Sequence, residues 1–276
     1  MRVEPGCLYG LLGPNGAGKT TTIRMIMDII APDSGEVLYD GRPRTESDLR
    51  RIGYLPEERG LYGKMTVTDH LLFLAQLHGV SKTTALPAIA KWLDRVELAP
   101  RAHSKVEELS KGMQQKIQLI GTLLHQPDLI ILDEPFSGLD PINQGLFKDL
   151  LAEYKDEGRT IVLSTHIMEQ AEKLCDEICL ISRGSAILRG SLSEIKRSIG
   201  GNTYRLIADG DLKRLEGLSG VSQALVKNDE AMLMLDDETD GAEILAQAVQ
   251  FLTVREFRSE QPTLEEIFIK AVHDAA

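Results

Sequence analysis

The stretch Gly13-Pro14-Asn15-Gly16-Ala17-Gly18-Lys19-Thr20-Thr21 constrains this chain more than any other. It fits G-x-x-x-x-G-K-[ST]. It lies between a short apolar run, Cys7-Leu8-Tyr9-Gly10-Leu11-Leu12, and a helical stretch, Thr21-Thr22-Ile23-Arg24-Met25-Ile26-Met27. That order of strand, loop and helix is the setting in which such a loop wraps nucleotide phosphates. The glycines let the backbone curl so that successive N–H groups face inward as an anion nest. The following helix adds the positive end of its dipole. Lys19 is then placed to reach the β- and γ-phosphates, and Thr20 to offer its hydroxyl to Mg²⁺.

The rest of the chain supplies a sheet for that loop. Residues 129–132, 160–165 and 177–181 are continuous apolar runs, the pattern of strands buried on both faces of a parallel sheet. Shorter strands are predicted over 36–41 and 52–56, and helices over 143–157 and 168–175. The alternation gives a doubly wound α/β fold. Residues 66–126 interrupt it as an inserted helical subdomain. One helix there follows the caps Thr66 and Asp69; a second carries Leu86, Ile89, Ala90, Leu93 and Val96 as its apolar stripe; a third runs from Lys111 to Leu124. The pattern changes after Gly200-Gly201-Asn202. A half-exposed strand over 203–207, a hairpin around Lys227-Asn228-Asp229-Glu230, a helix over 242–252 and a last helix capped by Thr263 and Glu266 follow. The expected domains are 1–200 and a small α+β appendage over 201–276.

Three more motifs fall where strand ends or helix starts gather. Asp133-Glu134 follows the apolar run at 129–132. Asp133 can hold Mg²⁺ through its water shell, and Glu134 can orient the attacking water and take its proton. His166 ends the next buried strand, where a neutral imidazole can hydrogen-bond a γ-phosphate. Leu109-Ser110-Lys111-Gly112-Met113-Gln114-Gln115 opens the third subdomain helix. Its Ser110 hydroxyl and backbone N–H groups, with Gly112, can form a second anion site at a helix N-terminus, although the stretch by itself favours a plain N-cap serine. A second phosphate receptor makes sense if it serves a nucleotide held by another copy.

Composition excludes some partners. The net charge of −11 over 276 residues argues against broad binding to a nucleic-acid backbone. No run approaches ~18 uninterrupted apolar residues, and Met1 to Gly6 does not read as a signal peptide. The sequence therefore reads as cytosolic. Cys7, Cys175 and Cys179 lack a second Cys/His pair at metal spacing and read as small buried apolar residues.

The order GPNGAGKTT, LSKGMQQK, LIILDEPFSGLD, LSTH resembles the ATP-binding subunits of ABC transporters, over residues 1 to about 195. The resemblance implies a P-loop ABC-type ATPase with a mixed sheet, and a head-to-tail homodimer or heterodimer with two ATP molecules sandwiched between phosphate loop and signature motif. It implies that Gly13 to Thr21 bind phosphates and Mg²⁺, that Asp133 supports Mg²⁺, and that Glu134 is the catalytic base. Ser110 and Gly112 would contact the partner's γ-phosphate. Asp140 would bridge the interface, and His166 would be the switch histidine.

The sequence departs from that family in three places. Lys111 and Met113 replace a glycine and a glutamine of the signature. Glu57 stands where a glutamine usually meets Mg²⁺ and the permease; as a carboxylate it can still ligate Mg²⁺. About twenty residues that usually precede Val3, with outer strands and an adenine-stacking aromatic, are missing. Weaker ATP affinity and a less stable sheet edge are expected from their loss, since such stacking is worth ~0.5–1.5 kcal/mol. The run Gly53-Tyr54-Leu55-Pro56-Glu57-Glu58-Arg59-Gly60-Leu61-Tyr62 and the ending from Gln261 to Phe268 look most like subunits of two-component exporters of the sodium-extrusion and drug-resistance kind. The implied assembly sits on the inner face of the cell membrane through an integral membrane permease. The competing expectation is an ABC-type ATPase acting on ribosomes or DNA. The acidic charge, the single cassette and the lack of a long coiled-coil insertion count against it.

Overall fold

Strand β1 (Leu8–Leu12) is buried at all five residues, because a parallel partner flanks it on each side. Its register runs Leu12 against Thr165 on one side and Leu12 against Leu180 on the other. The computed structural model describes residues 1–58, 60–200, 202–236, 238–260 and 262–274. Arg59, Gly201 and Gln261, named above, lie outside them. The chain divides into two compact units, Met1–Arg189 and Gly190–Ala276.

In the first unit β1 leads through the phosphate loop into α1 (Lys19–Ile26), then β2 (Leu38–Tyr39), β3 (Arg42–Pro43), α2 (Glu46–Leu49) and β4 (Ile52–Leu55). Three helices follow: α3 (Val67–Leu77), α4 (Lys82–Arg95) and α5 (Lys111–Leu123). The chain then returns to the sheet with β5 (Leu129–Asp133), α6 (Pro141–Asp156), β6 (Thr160–Thr165), α7 (Met168–Leu174), β7 (Glu177–Ser182) and β8 (Ser185–Ser191). The six strands lie in the order β4-β5-β6-β1-β7-β8. The first five are parallel. Arg183 and Gly184, both with positive φ (49° and 79°), form the tight turn that folds β8 back beside β7 as a hairpin. The sheet is mixed for that reason.

Parallel strands point their C-terminal ends at one rim, and this positions the site. Leu12 pairs with Thr165, Asp133 with Ser164, and Leu132 with Leu55. The segments after β1, β4, β5 and β6 therefore emerge side by side. Beneath them Tyr9, Leu11, Ile23, Ile52, Ile131 and Val162 form the sheet's core. The helices α3, α4 and α5 close on a second core that includes Val67, Leu71, Ile89, Leu93, Ile117 and Ile120. Each such side chain is worth about 1.5–3 kcal/mol when fully buried.

Two expectations are corrected here. The stretch 36–41, a strand ending in a turn, turns at Asp40 and Gly41 (φ 51° and 74°) as expected, but only Leu38–Tyr39 is strand, because the partner across the turn is just Arg42–Pro43. The α4 stripe is Ala85, Ile89, Leu93 and Val96, with Leu86 and Ala90 exposed. Ala85 sets the phase of that helix, and alanine is a weak hydrophobic signal. The three thiols are free and buried. Burial pushes Cys7 up to about 11 and Cys175 to about 12, so both are unreactive thiols near neutral pH.

The second unit holds α8 (Leu192–Gly200), β9 (Asn202–Asp209), β10 (Val221–Lys227), β11 (Glu230–Leu235), α9 (Gly241–Ala248), β12 (Thr253–Ser259) and α10 (Leu264–Asp274). Its antiparallel sheet runs β10-β11-β9-β12 over a core of Leu206, Ala208, Leu215, Leu233 and Ile244. The unit starts at Gly190, ahead of the change in composition at Gly200, because α8 packs against α10. The helix expected over 242–252 stops at Ala248 and gives way to β12. Thr263 caps α10 as a capping box: Glu266 N–H donates to the Thr263 hydroxyl at 3.2 Å, and Thr263 N–H donates to the Glu266 carboxylate at 2.8 Å. Among the described residues no helix is long and apolar enough to cross a membrane.

Candidate functional site

The phosphate loop leaves β1 in a conformation that only glycine tolerates at its ends. Gly13 has φ +153°, and a Cβ there would stand 2.2 Å from the Ile181 carbonyl oxygen. Gly16 has φ +78° with nothing within 4 Å of its missing Cβ, so it borders open space at the mouth of the loop. Pro14, Asn15 and Gly16 are exposed, while Ala17 and Lys19 are buried. Thr20 and Thr21 follow in the first turn of α1, Thr20 half-buried and Thr21 exposed. The loop is an exposed bend with a buried anchor.

Lys19 curls back over the loop. Its Nζ donates to the carbonyls of Gly13 at 2.8 Å and Pro14 at 3.2 Å, and lies 3.4 Å from Glu134 Oε1. Glu134 is the first residue past β5. It has φ +49°, a strained conformation for a glutamate, and its N–H is tied to the Ser164 carbonyl at 3.0 Å. Its carboxylate accepts from His166 Nδ1 at 2.9 Å and from the Thr165 hydroxyl at 3.4 Å. The Glu134 side chain is 8% exposed and that of His166 44%, so the imidazole lies on the open side of the acid.

Asp133 is fully buried. Its Oδ1 accepts from the Ser164 hydroxyl at 2.7 Å, while Oδ2 has no partner among the described residues. An orphaned carboxylate oxygen beside a phosphate-type loop fits a hard cation with a water shell. Mg²⁺ therefore suits the residues present. Glu57 is exposed just past β4, on the same rim.

Ser110 and Gly112 sit elsewhere. Ser110 caps α5 by accepting from Met113 N–H at 3.3 Å, and no hydrogen bond joins Ser110 or Gly112 to the phosphate loop among the described residues. A Cβ on Gly112 would meet Asn143 Nδ2 at 3.5 Å. Asn143 belongs to the start of α6, where its N–H donates to Asp140 Oδ1 at 3.0 Å and holds that carboxyl below its usual range. The structure thus gathers Gly13, Lys19, Asp133, Glu134 and His166 on one rim. It places Ser110 and Gly112 at the start of α5, near the start of α6.

Ser164 and Thr165 were not singled out from the sequence, although each binds one of the two acids. Two hydroxyls closing an apolar strand just before His166 were the available signal. Gln115 was missed as well. It is buried and donates to the Pro135 carbonyl at 3.2 Å, tying α5 to the segment after Glu134.

Comparison with known proteins extends this picture. Residues 1–137 match the ABC transporter family, and residues 190–272 match the family described as ATP-binding protein DrrA1-3-like, C-terminal domain. The chain is 44% identical to the ABC transporter ATP-binding protein YhaQ of Bacillus subtilis, over 96% of this chain and 89% of that one. It is 40% identical to the Nod factor export ATP-binding protein I of Burkholderia orbicola, over 68% of this chain and 63% of the other. A solved structure described as the ATP binding subunit of an ABC transporter superimposes with a TM-score of 0.68 at 34% identity, covering 72% of this chain and 85% of that one.

Proposed function

Since the chain belongs to the ATP-binding proteins of ABC transporters, a family that hydrolyses ATP, we propose that it powers export through a separate membrane permease. The observation that carries this reading is the convergence of Lys19, the free Asp133 oxygen, Glu134 and His166 on one sheet rim. Export is favoured by the likeness to a Nod factor export ATP-binding protein. The proposed location is the cytoplasmic face of the membrane, held there by the permease.

In this reading the N–H groups from Gly13 to Thr21 receive the β- and γ-phosphates. Lys19 leaves its carbonyl acceptors and Glu134 for the phosphate oxygens. Glu134, freed from the lysine, accepts the proton of the attacking water, and His166 turns its single N–H from Glu134 to the γ-phosphate on the open side. Thr20 and Asp133, with Glu57 at the rim, would hold Mg²⁺. When bound, the ion spreads the charge of the β- and γ-phosphates. Ser110 and Gly112 of a second copy complete the γ-phosphate contacts, with Asp140 at the interface between copies. ATP-driven closure of two copies, a homodimer or a heterodimer with a similar subunit, then moves the helical subdomain against the permease. The exported substrate is proposed as Na⁺ or a drug-like molecule.

The test is ATPase activity of the purified chain against Glu134→Gln, with association followed in ATP–Mg²⁺. Hydrolysis that disappears in the variant while an ATP-locked dimer accumulates supports the reading. Equal turnover in both proteins rejects Glu134 as the base.

A further inference from the structure

Ser164 is an odd residue for its strand. β6 reads Thr160-Ile161-Val162-Leu163-Ser164-Thr165, and Ser164 is 0% exposed. A buried hydroxyl is costly unless it is hydrogen-bonded. This one donates to Asp133 Oδ1 at 2.7 Å, while the carbonyl of the same residue accepts from Glu134 N–H at 3.0 Å. The register makes this possible, because Asp133 and Ser164 stand opposite each other in the parallel ladder. One residue therefore grips both acids, the first through its side chain and the second through its backbone. Thr165 serves a different partner: its hydroxyl bonds Glu134 at 3.4 Å and accepts from Ile167 N–H at 3.1 Å.

A free aspartate carboxylate turns easily about its last torsion, whose well is broad and two-fold. With Oδ1 tied to Ser164, that rotation is stopped and Oδ2 alone stays unpartnered among the described residues. Resting on the reading of Asp133 as the Mg²⁺ support, we propose that Ser164 is a positioning residue for metal binding. Its hydroxyl holds the Asp133 carboxylate so that Oδ2 is left for the ion's water shell. Partners of this kind, one step removed from the metal, commonly change metal affinity by 10–100-fold.

The test measures Mn²⁺ binding by electron paramagnetic resonance, on the full chain with a non-hydrolysable ATP analogue. Binding of the analogue in EDTA is measured alongside. Ser164→Ala is expected to weaken Mn²⁺ about tenfold, while binding of the analogue in EDTA stays near that of the unaltered chain. Ser164→Thr, which keeps the hydroxyl, is expected to restore the metal. Should the alanine variant fail to fold by circular dichroism, Ser164→Cys replaces it, with a smaller weakening expected. Unchanged Mn²⁺ affinity in the folded Ser164 variant, beside a loss in Asp133→Ala, overturns the proposal and leaves the Asp133 reading standing. Unchanged affinity in Asp133→Ala as well rejects that underlying reading. An equal loss of metal and of metal-free nucleotide in Ser164→Ala marks a merely structural role and also overturns the proposal.

Discussion

Lys19 Nζ lies 3.4 Å from Glu134 Oε1, with both side chains almost fully buried. The same oxygen accepts from His166 at 2.9 Å. A buried cation and a buried acid therefore neutralise each other at the position where the proposed mechanism places phosphate. Removing one partner of such a pair leaves the other charge uncompensated, which is far costlier than never having had the pair.

Lys19→Ala is accordingly expected to act twice. ATP binding is lost, because the loop keeps its N–H groups but not its cation. Stability in urea falls by on the order of 3 kcal/mol, because Glu134 is left buried beside no lysine. Denaturation and a fluorescent-nucleotide titration of the variant measure both. A variant that binds ATP normally would remove Lys19 from the site.

Glu134→Gln keeps the size of the side chain and its contacts with His166 and Thr165 in shape, but removes the base. Hydrolysis is expected to fall by on the order of 10²–10⁴-fold, the usual contribution of a positioned proton acceptor. Nucleotide affinity should hold or rise. Single-turnover hydrolysis beside equilibrium binding separates the two effects, and a fall in affinity alone would argue for a binding role instead.

Gly13 and Gly16 make a controlled pair. A Cβ at Gly13 stands 2.2 Å from the Ile181 carbonyl, so Gly13→Ala must move backbone. A Cβ at Gly16 meets nothing within 4 Å, so Gly16→Ala faces only the left-handed φ of +78°. The second change should cost about 1–2 kcal/mol and the first clearly more. Thermal melting of the two variants ranks them. The reverse order would mean that the loop relaxes around the methyl added at Gly13 more readily than this geometry allows.

Much of this was legible beforehand, for a physical reason. A run such as Leu129-Ile130-Ile131-Leu132 is buried on both faces, so its apolar signal is continuous, and the residues after it must fall on the rim. That logic places Gly13, Asp133 and His166 together without any structure. It fails where the signal is local and polar. β12 carries Arg255, Glu256 and Arg258 between its apolar residues and gives no clear strand signal until β9 pairs with it. The turn of α2 rests on Thr45 N–H donating to Asp48 at 2.8 Å, a four-residue capping pattern with little apolar content. The Lys19–Glu134 pair and the Ser164–Asp133 bond are long-range contacts set by register, which spacing along the chain does not encode.

His125 gives the chain an acid limb that a titration can read. Its ring stacks on His78 with centroids 3.7 Å apart and an interplanar angle of 11°, and its Nε2 donates to the Ile52 carbonyl at 3.3 Å. Burial, reinforced by the neighbouring His78 and opposed by the Ile52 bond, holds the imidazole down at about 4, against an ordinary value of 6.5. Burial lowers His78 as well. The folded chain thus resists a proton that the unfolded chain accepts, so stability is full above pH 6.5 and drains away as pH falls toward 4. The loss is about 2 kcal/mol once partial exposure is allowed for. His125→Phe keeps an aromatic ring on His78 but cannot take a proton. Urea denaturation of both proteins at neutral pH and midway through that window should show a smaller pH dependence in the variant, whatever the mutation costs at neutral pH. Identical slopes would mean that the charge is lost elsewhere and that this stacked pair plays no part in acid sensitivity.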